Sequence, residues 1–293
     1  MVAVIIKGNE VAEKKRAQLT EEVVKLKEQG IVPGLAVILV GEDPASRSYV
    51  KGKEKGCEQV GIYSELIELP ETITEERLLA EIDRLNGDDR INGILVQLPL
   101  PKHIEEKAII ERISPEKDVD GFHPISVGRM MTGQDTFLPC TPHGIVELVK
   151  ETNLDISGKH VVVIGRSNIV GKPVGQLFLN ENATVTYCHS KTQNMKELSK
   201  LADILIVAVG RPKMITADYI KEGAVVIDVG VNRLETGKLC GDVDFDNVLD
   251  VAGYITPVPK GVGPMTITML LHNTVESAKN TVESAKRAGV VCK

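Results

Sequence analysis

The sequence predicts an α/β fold of two domains, with parallel sheets carrying helices on both faces. Three observations predict it. A chain of 293 residues exceeds one small core. Its apolar runs are short and often β-branched, and helical patterns alternate with them. Taken in order, the strands are GLAVILVG (34–41), ELIEL (65–69), GILVQLPL (93–100), HVVVIG (160–165), ATVTYC (183–188), DILIVAVG (203–210) and AVVIDVG (224–230). Helices are predicted near 10–29, 44–60, 74–85, 104–112, 142–152, 172–181 and 194–201, with a last long one over 266–287.

The Gly/Pro/Thr-rich passage VGRMMTGQDTFLPCTPHG (127–144) divides the strand–helix pattern into two blocks. It places a first domain over 1–140 and a second over 141–265, with the terminal helix, 266–293, returning to the first. That helix repeats NTVESAK in tandem, so Val275, Ala278, Val282 and Ala285 form one apolar stripe. The stripe is short and its residues small, which suits docking on a domain better than a coiled coil.

Composition excludes several classes. With 35 Lys and Arg against 41 Asp and Glu, the formal net charge is −6, the wrong sign for a nucleic acid or an anionic membrane. Five cysteines form no CxxC and no even framework, as in a reducing compartment. The start, MVAVIIKGNE, has an apolar stretch too short for the hydrophobic region of a signal peptide, and no window approaches a membrane span. A cytoplasmic protein is expected. Cys140 and His143 have ligand spacing, but without a second pair no metal is expected.

VVVIGRSNIVGKPVG (161–175) reads as strand, glycine turn and helix, the helix opened by Pro173. A Walker A loop fails twice: five residues separate Gly165 from Gly171, and Pro173 stands where a hydroxyl is needed. The dinucleotide fingerprint is imperfect, with Ser167 for its middle glycine and Gly171 one place late. Its setting supports it, since a helix N-terminus after a strand faces an anion with free N–H groups. The next strand ends in CHSKT (188–192), where an NAD enzyme would carry a carboxylate. Ser190 and Lys191 there, with Arg166 just after the first turn glycine, suit a 2′-phosphate, so NADP is favoured over NAD. Against this, Arg166 could be a surface arginine at a tight turn. Gly210 and Gly230, the latter followed by Val231, close two more strands at the ligand-binding edge.

SYVKGKEKG (48–56) holds three lysines. Asp43 and Pro44 start a helix as N-cap and first residue. At about 100° per residue, Tyr49, Val50, Lys53, Cys57 and Val60 share one face, with Lys51, Lys55 and Glu58 opposite. Lys53 is the odd residue. It either snorkels, stem on apolar surface and ammonium in water, or does chemistry. A second polar intrusion, Gln97 in GILVQLPLP, favours chemistry. Asp120 in KDVDGFHP (117–124) is a third candidate, although Asp-Gly is commonly a turn.

DPASRSYVKGKEKGC, GILVQLPLP, KDVDGFHP, PCTPHG, GRSNIVGKP, CHSKT, IDVGVNR and PVPKGVGPMT resemble, in the same order, the bifunctional methylenetetrahydrofolate dehydrogenase / methenyltetrahydrofolate cyclohydrolase (FolD) family. The resemblance implies two domains around a cleft, the second Rossmann-like and binding NADP, and a homodimer. It implies oxidation of 5,10-methylenetetrahydrofolate to 5,10-methenyltetrahydrofolate, then hydrolysis to 10-formyltetrahydrofolate. By matching position it makes Lys53 catalytic, Gln97 its hydrogen-bonded partner, and Tyr49 a catalytic-site ring stacking near the aminobenzoate. Asp120 would grip the pterin through paired hydrogen bonds, and Pro259, Gly263 and Thr266 would touch the substrate. Gly165, Arg166, Ser167, Ser190, Gly210 and Val231 fall to the cofactor. An apolar setting should lower the pKa of Lys53 and let it exchange protons as water adds and the ring opens. Hydride transfer needs positioning only. One departure is Lys260, where the family usually has glycine. It either pairs with a glutamate-tail carboxylate or is a surface lysine. The rivals are a different two-domain NADP oxidoreductase and a nucleotide-sensing protein without turnover; the latter leaves Lys53 and Gln97 unexplained.

Overall fold

The computed structural model describes residues 2–287, with side chains through Thr281. In chain order the elements begin β1 (Val4–Ile5), α1 (Gly8–Glu28), β2 (Gly34–Val40), α2 (Pro44–Val60), β3 (Tyr63–Leu69), α3 (Glu75–Asn86), β4 (Gly93–Val96), α4 (Glu106–Arg112) and α5 (Pro124–Met131). They continue α6 (Cys140–Lys150), β5 (His160–Ile164), α7 (Gly171–Asn180), β6 (Thr184–Cys188), α8 (Met195–Ser199), β7 (Ile204–Val207) and β8 (Val225–Asp228). The last are β9 (Asn232–Arg233), β10 (Leu239–Cys240), α9 (Phe245–Val248), β11 (Tyr254–Ile255) and α10 (Val262–Arg287).

Two compact units result. One takes the described residues through Glu13 and Pro139–Thr266; the other takes Lys14–Leu138 and the described residues from Ile267. From Ile267 the terminal helix falls in the same unit as Lys14–Leu138. The sequence reading places the first residues in the first domain, but β1 pairs in parallel with β11, Val4 opposite Tyr254, and so joins the later sheet. Strands of two residues carry no readable periodicity, so neither β1 nor β11 is legible from pattern alone.

The later unit is built on a six-stranded sheet, order β1-β11-β8-β7-β5-β6, every ladder parallel. Its β5, β7 and β8 are almost wholly buried, as their β-branched runs require. The order reverses at β5, with β6 on one side and β7 on the other, and that reversal opens a ligand crevice at the carboxyl edge. The other unit has a three-stranded parallel sheet, β3-β2-β4. Every residue of its central β2 is buried. Ala36, Ile38 and Ile94 pack there with Leu78, Ile82, Leu85 and Ile109 of α3 and α4.

Several boundaries move for physical reasons. Residues 93–100 form a strand only through Val96, before Leu98-Pro99. The last helix begins at Val262, four residues early, because Pro264 falls in its first turn, where no N–H is needed. Likewise α7 opens at Gly171, ahead of Pro173. Within PCTPHG, α6 starts at Cys140, two residues before the predicted 142–152, so CTPH forms its first turn. Helix α5, which runs into the start of the Gly/Pro passage, is absent from the predicted elements. Its cap is unusual, His123 Nδ1 accepting from Ile125 N at 3.0 Å, followed by Pro124. Val275 and Ala278 of the heptad stripe are fully buried; Val282 and Ala285 lie outside the described side chains.

Candidate active site

In α2, Asp43 caps the helix by accepting from Ser46 N at 2.7 Å, Pro44 follows, and Gly61 ends it in the left-handed conformation. The buried face is Ser46, Val50, Lys53, Gly56, Cys57 and Val60. Lys51, Lys55 and Glu58 are exposed, as the helical projection predicts. Gly52 and Gly56, one turn apart, receive Ile267 and Leu271 of α10, and a Cβ on either would crowd them. That close approach was missed in the sequence, though a small-xxx-small pair announces it. Tyr49, grouped with the apolar face, is instead 40% exposed. Its ring is offered to a ligand or to solvent rather than to the core.

Lys53 is only 7% exposed. Its Nζ donates to Gln97 Oε1 at 2.9 Å. Snorkelling into solvent is therefore overturned. Gln97 is fixed at both ends, its backbone N–H donating to Ile38 O at 2.9 Å and its Nε2 to Leu98 O at 2.7 Å. With the amide nitrogen so engaged, the carbonyl oxygen must face the lysine. The neighbouring thiol, Cys57, is buried and pushed up to about 12 by desolvation, which makes it inert as a nucleophile.

Asp120 sits in a turn closed by Gly121 N donating to Asp118 O at 3.1 Å. With Leu98, Val96 and Phe122 it lines one recess. The residue that sequence reasoning missed is Asp118. It is 2% exposed and accepts from Phe122 N at 3.2 Å, His123 N at 2.9 Å and Ser126 Oγ at 2.7 Å. Burial nonetheless pushes its carboxyl up to about 6. Asn273 of α10 adds a bond from Nδ2 to Val119 O at 2.8 Å. Both aspartates of the DVD sequence line the recess, and Asp118 also builds the turn through its three hydrogen bonds.

Pro259, Gly263 and Thr266 belong to the six-stranded unit. Pro259 is exposed, Gly263 lies in the first turn of α10, and Thr266 Oγ1 meets Thr141 Oγ1 at 2.8 Å. Lys260 has φ +79°, a left-handed backbone that glycine adopts without strain.

In that same unit, Ile164 of β5 and Cys188 of β6 are register partners, so Arg166 and Ser190 each follow by two residues at one carboxyl edge. Both are exposed. Gly165 has φ +138°, and a Cβ there would run into Ala208 O. Only glycine lets the turn pass β7 so closely. Ser167 replaces a glycine usefully, since its Oγ accepts from Val170 N at 3.2 Å and Gly171 N at 3.1 Å and so caps the entry to α7. The N–H groups of Arg166, Ser167 and Asn168 have no acceptor among the described residues, which suits an anion. Gly210 and Val231 lie just beyond β7 and β8 on the same edge, both exposed. The described residues contain no cluster of three His, Cys, Asp or Glu able to hold a metal, and no helix long and apolar enough to cross a membrane.

A parallel sheet with a glycine turn at its switch point, in one chain with a buried lysine bonded to a strand-end glutamine, defines a dinucleotide-binding enzyme of two units. Residues 6–120 match the family model of the tetrahydrofolate dehydrogenase/cyclohydrolase catalytic domain, and residues 139–282 that of its NAD(P)-binding domain. The chain is 98% identical to the bifunctional protein FolD of Bacillus cereus, over the whole of both chains. A bifunctional FolD methylenetetrahydrofolate dehydrogenase/cyclohydrolase of Campylobacter jejuni superposes with TM-score 0.93 at 52% identity, covering 95% of this chain and 99% of that one. The Trypanosoma brucei enzyme, solved with NADP cofactor and an inhibitor, gives 0.92 at 41% identity, covering 96% and 99%. This chain belongs to the tetrahydrofolate dehydrogenase/cyclohydrolase family.

Proposed function

We propose that this chain oxidises 5,10-methylenetetrahydrofolate with NADP⁺, and that Lys53 then drives hydrolysis of the 5,10-methenyl product to 10-formyltetrahydrofolate. The observation that carries the assignment is the Lys53–Gln97 hydrogen bond of 2.9 Å on a buried helix face. In the first reaction a hydride leaves the one-carbon bridge for the nicotinamide, and the bridge nitrogens hold the resulting cation, so no acid or base is required. In the second, water adds to the methenyl carbon, a proton departs and a ring C–N bond opens. Lys53 is placed to move those protons, with Gln97 Oε1 fixing its amine.

Asp120 accepts the amino-pyrimidine edge of the pterin, and Tyr49 stacks near the aminobenzoate. Pro259, Gly263 and Thr266 are assigned to the substrate on the likeness of PVPKGVGPMT. Gly165 and Ser167 shape the turn for the phosphates, and Gly210 and Val231 face the nicotinamide ribose. Arg166 and Ser190, two residues past paired strand ends, suit the 2′-phosphate and support NADP over NAD. A homodimer is proposed, because β3 is an edge strand with no partner on its outer side among the described residues. A cytoplasmic location is proposed on the four described cysteines forming no disulfide. The test supplies 5,10-methylenetetrahydrofolate with each cofactor and follows reduced nucleotide and folate products separately. Turnover with NADP⁺ through methenyl to 10-formyl product is expected; no folate-dependent reduction of either cofactor would overturn the reading.

A further inference from the structure

Two buried carboxylates at the carboxyl edge of the six-stranded sheet have no part in the chemistry above. Asp228, the last residue of β8, is 3% exposed, and Asp242 is 0% exposed. Asp242 Oδ2 accepts from Val209 N at 2.7 Å and Gly210 N at 2.9 Å. Its Oδ1 accepts from Arg211 N and Asn232 Nδ2, both at 2.8 Å. The backbone of Asp242 is held in turn, its N–H donating to Asp228 Oδ1 at 2.9 Å, beside Val243 N on Oδ2 at 2.9 Å. Asp228 Oδ1 also takes Gly230 N at 3.0 Å. Packing is tight enough that a Cβ on Gly230 would collide with the Asp242 carboxyl group.

One carboxylate therefore ties the turn after β7 to the turn after β8. A peptide N–H and the carbonyl of the preceding residue point in opposite directions. With three successive N–H groups aimed at Asp242, the carbonyls of Ala208, Val209 and Gly210 are turned away from it. None of the three accepts a hydrogen bond among the described residues. Ala208 O packs against the Gly165 turn; the carbonyls of Val209 and Gly210 are left as acceptors that match the donors of a ribose hydroxyl or a carboxamide, and of these the carboxamide belongs to the nicotinamide half alone.

We propose that Asp242 is a positioning residue for the nicotinamide half of the cofactor site, setting the turns that carry Gly210 and Val231. The proposal rests on the cofactor reading above. In Asp242→Asn an N–H₂ replaces one oxygen and opposes donors that have no other acceptor. NADP⁺ affinity is expected to fall ~10-fold or more, the scale of losing hydrogen bonds to a charged group. The fragment 2′,5′-ADP, which lacks the nicotinamide half, should bind as to the parent chain. Hydrolysis of supplied methenyltetrahydrofolate, which uses Lys53 in the other unit, should continue. Asn232→Ala removes one donor without creating repulsion and serves if Asp242→Asn does not fold; it should weaken NADP⁺ in the same selective way, by less. Equal loss of NADP⁺ and 2′,5′-ADP, or no loss of either, overturns the role. Arg166→Ala separates the two layers. If it weakens 2′,5′-ADP while the Asp242 and Asn232 variants leave NADP⁺ untouched, the cofactor reading stands and the positioning role falls. If all three leave both ligands unaffected, both fall.

Discussion

The two units solve different physical problems with different parts. In the three-stranded unit, the proposed chemistry centres on one side chain removed from water: Lys53, 7% exposed, bonded to a glutamine whose other end is tied to Leu98 O. In the six-stranded unit the edge residues are exposed, and the precision lies beneath them in backbone N–H groups, a glycine at φ +138° and two buried aspartates. Proton transfer needs a single titratable group held in place. Holding a long, charged cofactor needs a surface whose shape is fixed from behind.

This contrast decides what could be read from sequence. Lys53 stood out because a charge on an apolar helix face is an anomaly at 3.6-residue spacing. Gln97 stood out as a polar break in an apolar run. Asp118, Asp228 and Asp242 gave no such signal, since aspartates beside glycines and strand ends read as turns. Their partners, Ser126 for Asp118 and the 209–211 turn for Asp242, are set by tertiary placement. The long β-branched strands were legible for the same reason that Lys53 was. By contrast β1 and β11 are two residues each and exist only because they pair with one another and with β8.

The contrast can be broken or sharpened experimentally. The largest effect is expected at Lys53. Lys53→Met should lower methenyltetrahydrofolate hydrolysis by ~10²–10⁴-fold, the general acid–base factor, while NADP⁺ and folate still bind in equilibrium titrations. Gln97→Ala frees the amine and should give a smaller loss in the same assay. Next is Arg166→Ala, which should raise KM for NADP⁺ by ~10-fold or more and leave KM for NAD⁺ unchanged. An unaltered NADP⁺ preference would remove Arg166 from the 2′-phosphate.

A stability effect should follow from Asp228, whose carboxyl burial pushes up to about 7. A raised carboxyl pKa means that the folded state binds the proton first. Its contribution to stability therefore grows as pH falls through about 7 toward the unfolded value of about 3.9. Asp228→Asn abolishes that gain, so denaturant titrations should show the gap between parent and variant widening from about pH 8 to about pH 5. A gap independent of pH would mean that Asp228 stays ionised. The smallest effect is expected at Lys260. Lys260→Gly relieves the left-handed strain at φ +79° and should stabilise the six-stranded unit by ~0.5–1 kcal/mol in chemical denaturation. If the lysine also pairs with the glutamate tail, KM for polyglutamylated substrate should rise in this variant relative to the monoglutamate.

The most direct measurement follows the two products of Lys53→Met together, starting from 5,10-methylenetetrahydrofolate and NADP⁺. With hydride transfer independent of the amine and hydrolysis dependent on it, NADPH and methenyltetrahydrofolate should accumulate in equal amounts, with 10-formyltetrahydrofolate formed only at the uncatalysed rate. Rapid conversion of the methenyl compound to its 10-formyl product, at the pace of the unaltered chain, would contradict the account.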